Sequence, residues 1–410
     1  MSLAERTTYP FQPARVASLR AASEPLSDRI FFWCLFVFVS LSPHIREYGG
    51  ALLFVFLAIE VVYVIWSRSF VFYVPLTAFT SLGLLYVVLS YYELLPDAWA
   101  RFNLAWAIPQ QASFLAILYP TVLAARQQWR FLSQAPSAPW RIAALAFAGG
   151  VISHAVAPDF IASDYRNFFL SPGNAGFFMF FAASYFLFLS PRSIASGLAL
   201  CLVLLGIVLA PQLQAQLLYL LIFVLLFSPW PRLVVAGWCA TLVAMYFLAF
   251  AYPVWIWDID PNSGIRAFFA RDALEALWDS GGIGVGFGKE AIKNYYSAVG
   301  HLHTDWHNRF DAFIMIGVHN SFTAMFYRLG IIGGLLWLWV AVVKPFPRAH
   351  AGLPERRFYS AIFGTMFIAT FTNVGLESPT FSPAVAFAIG ILLSERDRAL
   401  ERNPLRTQRI

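Results

Sequence analysis

Charged side chains are scarce in this chain. Only 12% of its 410 residues are Asp, Glu, Lys or Arg, whereas 59% are hydrophobic. A soluble domain carries about 25% charged residues, so this chain has too few polar side chains to cover a globule in water. The scarcity excludes a soluble globular protein. The net charge of +6 does not indicate a nucleic-acid-binding protein either, because the basic residues lie in short segments between apolar runs.

Cysteine is scarce as well. The three cysteines, Cys34, Cys201 and Cys239, lie far apart within apolar runs. A disulfide framework or a zinc site needs grouped cysteines, so we interpret these three as small apolar residues of the spans. Residues 1–26 are polar and lack the apolar core of a signal peptide. We therefore expect the first apolar run itself to direct membrane insertion.

Long apolar runs are what the sequence has in abundance. Their length of about 17–25 residues is what a helix needs to cross a bilayer. The 41 Phe and 14 Trp residues suit a lipid-facing surface with aromatic belts at both interfaces. The sequence therefore predicts an all-α protein, a polytopic transmembrane bundle of about twelve spans. These spans are predicted to begin near Arg29, Gly50, Phe70, Leu104, Trp140, Asn174, Ile194, Leu213, Pro231, His319, Phe358 and Pro379.

The distribution of basic residues predicts the orientation of this bundle. With both termini in the cytoplasm, about 19 of the 28 Lys and Arg residues fall on the cytoplasmic side, as the positive-inside rule expects. The predicted organisation is a cytoplasmic segment, nine spans, a long outer loop, three further spans and a cytoplasmic basic tail. These parts cover residues 1–28, 29–252, 253–318, 319–394 and 395–410, respectively.

Several arginines run against this orientation rule, so something other than insertion has to explain them. Two outer loops are also long, at residues 155–173 and 253–318, whereas connections in helical bundles usually have about 2–8 residues. Long loops often carry functional residues, which predicts a site on the outer face. A surface that faces solvent or lipid headgroups explains Arg266 and Arg271 equally well. The outward arginines are Arg46, Arg101, Arg166, Arg266, Arg271 and Arg309, with Arg328 inside a span.

The long outer loop contains a predicted helix over residues 266–278. Asn262 and Ser263 can cap its start, and the glycines at 281 and 282 can end it. One stripe of this helix carries Arg266, and another carries Asp272. The helix is therefore amphipathic and suited to lie on a bilayer surface or on the bundle.

A glycine-rich run follows this helix at residues 282–288. Alternating glycines could bring backbone N–H groups close to a phosphate. However, Lys289 is followed by Glu290 rather than by the Ser or Thr of a P-loop. A dinucleotide fingerprint would also need a strand before the glycines. A tight turn between two short helices is therefore the favoured interpretation.

Histidines cluster near the end of the same loop. His301, His303 and His307, together with Asp305, have a spacing that suits zinc or copper. No second group of Cys or His completes a tetrahedral ligand set in the sequence, apart from His319 downstream. Histidines in a polar surface loop usually have no chemical role. We therefore predict no metal site and leave open whether this cluster binds anything.

His319 and Asn320 lie where the polar loop meets an apolar helix. A neutral imidazole accepts protons near neutral pH, so His319 is a candidate general base for a hydroxyl nucleophile. An interfacial histidine that anchors the helix end explains its position at least as well. Arg328 lies roughly 13 Å deeper at about 1.5 Å per residue, where a charge is costly unless it is paired or hydrated. Glu60 and Glu377 are candidate partners, and a salt bridge explains Arg328 as well as a substrate contact does.

Three motifs resemble the O-antigen ligase and polysaccharide polymerase superfamily. The run GVHNSFTAMFYRLGIIGG (317–334) resembles that family's His-Asn helix start with a following Gly-x-x-Gly element. The run SGIRAFFARDALEALWDSGGIGVGFG (263–288) is similar to its arginine helix and Gly-x-Gly turn. The run YRNFFLSPGNAGFF (165–178) resembles its outer-loop pattern of an arginine followed by Pro-x-Asn at the start of a span. The motifs occur in the family's order.

The resemblance implies a GT-C-like glycosyltransferase in the bacterial cytoplasmic (inner) membrane, with its active site facing the periplasm. The donor would be a glycan on undecaprenyl diphosphate, and the acceptor a sugar hydroxyl that His319 activates. Arg166 and Arg266 would hold the diphosphate, with Arg271 as an alternate for Arg266. The supporting positions would be Asn174, Asn320 and Arg328. No cofactor is implied, and the further partners would be the lipid bilayer and a chain-length regulator.

The sequence leaves the acceptor open. A polymerase extends another lipid-linked repeat of exopolysaccharide or O-antigen, whereas an O-antigen ligase transfers the finished glycan to lipid A–core. Many family members carry an acidic residue where this chain has Tyr327-Arg328, and the Tyr-Arg-Leu-Gly run looks more like exopolysaccharide polymerases. A flippase for lipid-linked sugars is the alternative from another class. Transporters often show matching halves, and the sequence shows no internal repeat.

Overall fold

In the parts of the chain that it describes, the computed structural model consists of helices joined by turns, with no β-strand among them. The described residues are 25–41, 50–96, 104–152, 174–191, 193–210, 213–259, 261–288, 320–348, 352–372, 376 and 382–401. The prediction of an all-α protein is confirmed for these residues. Their helices are α1 (Leu26–Leu41), α2 (Gly50–Trp66), α3 (Val74–Tyr91), α4 (Leu104–Leu132), α5 (Ala138–Phe147), α6 (Asn174–Phe188), α7 (Ile194–Leu209), α8 (Leu213–Phe227), α9 (Pro231–Ala251), α10 (Pro253–Ile259), α11 (Pro261–Asp279), α12 (Ser321–Leu338), α13 (Leu353–Phe371) and α14 (Ser382–Glu401). Two π-helical turns, Ala148–Ile152 and Trp339–Val343, continue α5 and α12.

Proline residues set where several of these helices begin. Pro231 opens α9, because a proline in the first turn loses no hydrogen bond and its fixed φ suits a helix. α3 begins at Val74 rather than near Phe70, and α13 begins at Leu353 rather than near Phe358, each with a proline in its first turn. Other helices begin at the predicted residues, namely Gly50, Leu104, Asn174, Ile194, Leu213 and Pro231.

The helices are those of an α-helical membrane protein. Among the described residues, three helices are long and apolar enough to cross a membrane: Val74–Tyr91, Pro231–Ala251 and Ser321–Val343. Several shorter helices are apolar as well, including α7 and α8. The outer faces of the bundle carry large exposed apolar side chains such as Ile65 and Leu198, which suit contact with lipid. The count of twelve spans stays a prediction.

Helix α4 and α14, the last of the described helices, pack along each other in the centre of the bundle. A Cβ on Gly390 of α14 would lie 2.5 Å from the carbonyl oxygen of Val122 in α4, so glycine allows the two backbones to approach closely. Near the end of this contact, Arg126 Nε donates to Asp397 Oδ2 at 2.6 Å. The hydroxyl of Tyr73 donates to the same oxygen at 2.8 Å. These bonds fasten α14 to α4 and to the start of α3.

One end of the bundle, which we call the basic end, collects arginine and lysine side chains from several helices. Arg357 donates to the carbonyl oxygen of Ser228 at 3.0 Å, and Arg398 donates to that of Arg130 at 2.9 Å. Burial lowers the pKa of Lys344 at this end, and the charges of Arg396 and Arg348 lower it further. The described basic residues of this end are Arg29, Arg68, Arg126, Arg130, Arg141, Arg232, Lys344, Arg348, Arg356, Arg357, Arg396 and Arg398.

The opposite end, which we call the site end, contains α10, α11, the glycine turn (residues 281–288) and the start of α12. α11 packs against α9, α10 and α12. The positive-inside rule assigns the basic end to the cytoplasm and the site end to the outer face. This orientation relative to a membrane stays a prediction.

Candidate functional site

Asn320 caps the N-terminus of α12 at the site end. Its backbone is extended, and its side-chain Oδ1 accepts hydrogen bonds from the N–H groups of Phe322 and Thr323, both at 3.0 Å. Asparagine is among the best residues for this role, because it satisfies N–H groups that have no partner within the helix. The side chain is only 2% exposed. The sequence predicted a helix start near His319, and the cap shows why the start lies there.

The first turn of α12 also contacts two neighbouring helices. Ser321 Oγ accepts a hydrogen bond from the N–H of Leu376 at 3.0 Å, just beyond α13. The hydroxyls of Thr323 and Tyr246, from α9, lie 2.6 Å apart. Phe371 packs its ring against Tyr246 at a centroid distance of 5.2 Å. Tyr246 was not predicted as part of this site, because nothing local marks a tyrosine within an apolar run as part of a polar cluster.

Arg266 reaches the same region from α11. Its Nη1 donates to the carbonyl oxygen of Thr372 at 2.8 Å, and the side chain is partly buried. Thr372 and Leu376 are four residues apart, so their Cα atoms lie at most about 14 Å from each other. Because Ser321 contacts Leu376, the guanidinium of Arg266 and the cap of α12 lie in one region of the site end. Arg271, one and a half turns further along α11, is exposed.

Helix α11 is longer than predicted. It runs from Pro261 to Asp279, because proline in the first position starts the helix earlier than Arg266. Asp272, which lies on one stripe of a helix predicted to rest on a bilayer surface or on the bundle, is fully buried. The other buried residues of the helix are mostly small, namely Gly264, Ala267, Phe269, Ala270, Ala273 and Ala276. α11 is therefore a packed part of the bundle.

The glycine turn has no free N–H group between residues 282 and 288. Gly282 and Ile283 donate to carbonyl oxygens at the end of α11, and Gly284 donates to Ser280 Oγ. The next four N–H groups bind acceptors on α12, α3 and α4. These pairs are Val285 with Tyr327 O at 2.9 Å, Gly286 with Arg328 O at 2.9 Å, Phe287 with Ser90 Oγ at 2.8 Å and Gly288 with Gln111 Oε1 at 2.6 Å. The run therefore does not cradle a phosphate, and its glycines serve a tight turn.

This turn fills a break in α12. The helix is interrupted at Gly330, which has φ 70° and ψ −171°, a conformation open to glycine alone. The N–H of Ile331 donates to the carbonyl oxygen of Gly282 at 2.9 Å. A Cβ on Gly284 would lie 2.4 Å from the Gly330 nitrogen. Both glycines are therefore required for the turn and the helix to fit.

Arg328 fastens the turn to α12 from inside the protein. It is fully buried, and its Nη1 donates to the carbonyl oxygen of Gly286 at 3.3 Å. Its guanidinium carbon lies 5.9 Å from the ring centroid of Phe287 and 5.5 Å from that of Tyr327. Aromatic faces and a carbonyl oxygen are groups that stabilise a buried cation. Of its candidate partners, Glu60 accepts a hydrogen bond from Thr121 at 2.6 Å, and Glu377 lies outside the described residues.

Several predicted residues lie outside the described part of the chain. They are His319, Arg166 and the cluster of His301, His303, Asp305 and His307. Asn174 is the first residue of α6, and its side chain is also outside the described set. Among the described residues, no group of three or more His, Cys, Asp or Glu side chains could hold a metal ion. The site is therefore built here from Arg266, Asn320 and their contacts.

Comparisons with known proteins do not identify a family or a function for this chain. Models of protein families, curated proteins and solved structures contain no match to this chain.

Proposed function

We propose that this chain is a membrane glycosyltransferase of bacterial surface polysaccharide synthesis. It transfers a glycan from undecaprenyl diphosphate to a sugar hydroxyl on the outer face of the cytoplasmic membrane. One observation carries the proposal. The capped N-terminus of α12, which directly follows His319 in the sequence, lies in the same region as the Arg266 guanidinium, at the end of the bundle away from the basic end.

The reaction needs a base and a counter-charge. His319 takes the proton of the acceptor hydroxyl, and the hydroxyl oxygen attacks the anomeric carbon of the donor sugar. The bond from that carbon to the diphosphate oxygen breaks, and undecaprenyl diphosphate leaves with the electron pair. Arg166 and Arg266 pair with the phosphate oxygens, since planar guanidinium groups suit phosphate geometry. The positive end of a helix dipole favours the same charge, and such stabilisation is stronger where water is excluded.

The broken helix α12 also bears on the alternative of a flippase. Transporters often use a discontinuous helix and a charged residue near the middle of the membrane, and this chain has the break at Gly330 and the buried cation of Arg328. However, the glycine turn fills the break, and each of its N–H groups from 282 to 288 binds a protein acceptor. A filled break favours a rigid site over a moving pathway.

Transfer by the purified protein in liposomes tests the proposal. The donor is a defined glycan on undecaprenyl diphosphate, offered either with a second lipid-linked repeat or with lipid A–core. A polymerase lengthens the first acceptor, and a ligase modifies the second. We expect His319→Ala to lower the rate about 10²–10⁴-fold, which is the usual contribution of acid–base catalysis.

The matched control is His307→Ala, a histidine of the same outer segment, which should leave the rate unchanged. Equal transfer rates for His319→Ala and the wild type would contradict the assignment of His319 as the general base. If the protein moved the lipid-linked glycan across the bilayer without forming a new glycosidic bond, the function would be that of a flippase instead of a glycosyltransferase.

A further inference from the structure

The two ends of the Asn320 side-chain amide have different surroundings. Oδ1 accepts two hydrogen bonds from the first turn of α12. Nδ2 is buried and has no acceptor among the residues that the structure describes. Most buried polar groups in proteins are paired, so a buried N–H donor without an acceptor requires an explanation.

The cap fixes the direction in which Nδ2 can donate. Rotating the amide by half a turn would place its NH2 group against the N–H groups of Phe322 and Thr323, and donors facing donors are unfavourable. Any other rotation would break both bonds of the cap. The donor is therefore held in place before a ligand arrives, and an acceptor oxygen brought to the site end would satisfy it.

The charges around Asn320 select the kind of oxygen. The N-terminus of an α-helix carries a partial positive charge that attracts anions, and α12 has 18 residues. Arg266 contributes a full positive charge in the same region. An anionic oxygen is also the strongest acceptor for an N–H donor. Phosphate oxygens meet these conditions, whereas an uncharged sugar hydroxyl gains nothing from the two positive charges.

We infer that Asn320 Nδ2 donates a hydrogen bond to a phosphate oxygen of the lipid diphosphate, so that one side chain both caps α12 and binds the donor. This inference rests on the proposed function and assigns a contact within its donor site. Arg266 supplies charge to the diphosphate, and Asn320 supplies a donor of fixed direction. The assignment predicts that the cap and the binding contact can be separated by substitution.

Serine and aspartate separate the two roles. Both cap helices about as well as asparagine, but neither has an N–H group in place of Nδ2. We expect Asn320→Ser to keep the thermal midpoint of the full-length protein in detergent and to bind undecaprenyl diphosphate at least about 10-fold more weakly. Asn320→Asp should bind more weakly still, because its carboxylate repels the phosphates. Asn320→Ala removes the cap as well and should also lower the thermal midpoint.

Binding is measured with undecaprenyl diphosphate without a glycan, so the result does not depend on transfer. Inorganic pyrophosphate and phosphatidylglycerol serve as further probes that separate the lipid diphosphate from a free phosphate and a headgroup. Weakened binding of both diphosphates by Asn320→Ser and Asn320→Asp supports the inference. Unchanged binding of undecaprenyl diphosphate by both variants overturns the inference and leaves the proposed function standing. The same holds if the two variants lose binding of phosphatidylglycerol alone. A wild-type protein that does not bind undecaprenyl diphosphate overturns both.

Discussion

Arg266 and Arg271 lie on the same helix but reach different surroundings. Arg266 is partly buried and contacts Thr372 near the start of α12, whereas Arg271 is exposed. A charge acts more strongly on an anion when both are shielded from water, and an exposed charge is screened by salt. If the diphosphate binds at the site end, Arg266 is the residue of the two that holds it.

The matched pair of alanine variants tests this difference. We expect Arg266→Ala to raise the KM for the lipid-linked donor about 10-fold or more, since a hydrogen bond to a charged group is worth about 1.5–3 kcal/mol. Arg271→Ala should change it less than about 3-fold, as is usual for an exposed charge. Steady-state kinetics with varied donor give both values. If Arg271→Ala raised the KM more than Arg266→Ala, the diphosphate would bind on the exposed side of α11 instead.

The sequence could predict the role of a residue when the signal for it lies nearby in the chain, but not when its partner is distant in the chain. The start of α12 was predictable, because Asn320 and the apolar run that follows it are neighbours in the chain. The role of Arg328 was not, because its acceptor on Gly286 lies 42 residues away. The sequence left a salt bridge and a substrate contact as alternatives, and the contacts of Arg328 include a backbone carbonyl and two rings that no local pattern indicates.

At the level of elements, α11 is fixed near both of its ends. Arg266 ties its first half to Thr372, and the glycine turn at its C-terminus pairs with α12 on both sides of the break. The position of the Arg266 guanidinium therefore depends on how the turn docks, about 20 residues along the chain from the arginine itself. A helix held in this way needs little rearrangement when a substrate binds, which favours catalysis.

Replacing Gly284 should loosen this arrangement. An alanine there meets the backbone of Gly330 at 2.4 Å and must also adopt φ 91°, which alone costs about 1–2 kcal/mol. We therefore expect Gly284→Ala to lower the thermal midpoint in detergent by several degrees and to slow glycan transfer. Gly237→Ala in α9 is the control, because a Cβ at that position has no atom within 4 Å. Equal midpoints for the two variants would contradict the described fit of turn and helix.

The sequence predicted where helices exist better than where they begin. Hydropathy marks the start of an apolar run, but proline and cap residues start the helix itself. For this reason α13 begins at Leu353 and includes the polar residues Glu355, Arg356 and Arg357 ahead of its apolar part. The docking of the glycine turn into α12 could not be predicted, because it pairs residues more than 40 positions apart through backbone groups that every residue has.

For the whole molecule, the separation of charge between the two ends predicts the orientation in the membrane. Arginine and lysine from several helices gather at the basic end, and lysine and arginine near spans favour the cytoplasm. With twelve spans, both termini lie on that side. The outer loop predicted at residues 253–318 would then lie outside the cytoplasm.

Reporter fusions test this topology directly. We expect a green fluorescent protein fused after residue 410 to fluoresce, because it folds in the cytoplasm. Alkaline phosphatase fused after residue 300 should be active, because it requires an oxidising compartment outside the cytoplasm. Exchanging the two reporters at the same positions provides the controls. A dark C-terminal fusion or an inactive phosphatase at residue 300 would refute the twelve-span arrangement with both termini inside.

The contact between α4 and α14 has a consequence for biosynthesis. Asp397 is made 271 residues after Arg126, its partner, which corresponds to roughly 14–54 s of translation at about 5–20 residues per second. If α4 is a span, as the sequence predicts, it resides during that time in the bilayer or the insertion machinery without the helix that later covers it. The helices that precede α14 would then wait for α14 to emerge from the ribosome, and a chain cut short by a premature stop codon before α14 would leave α4 without its partner.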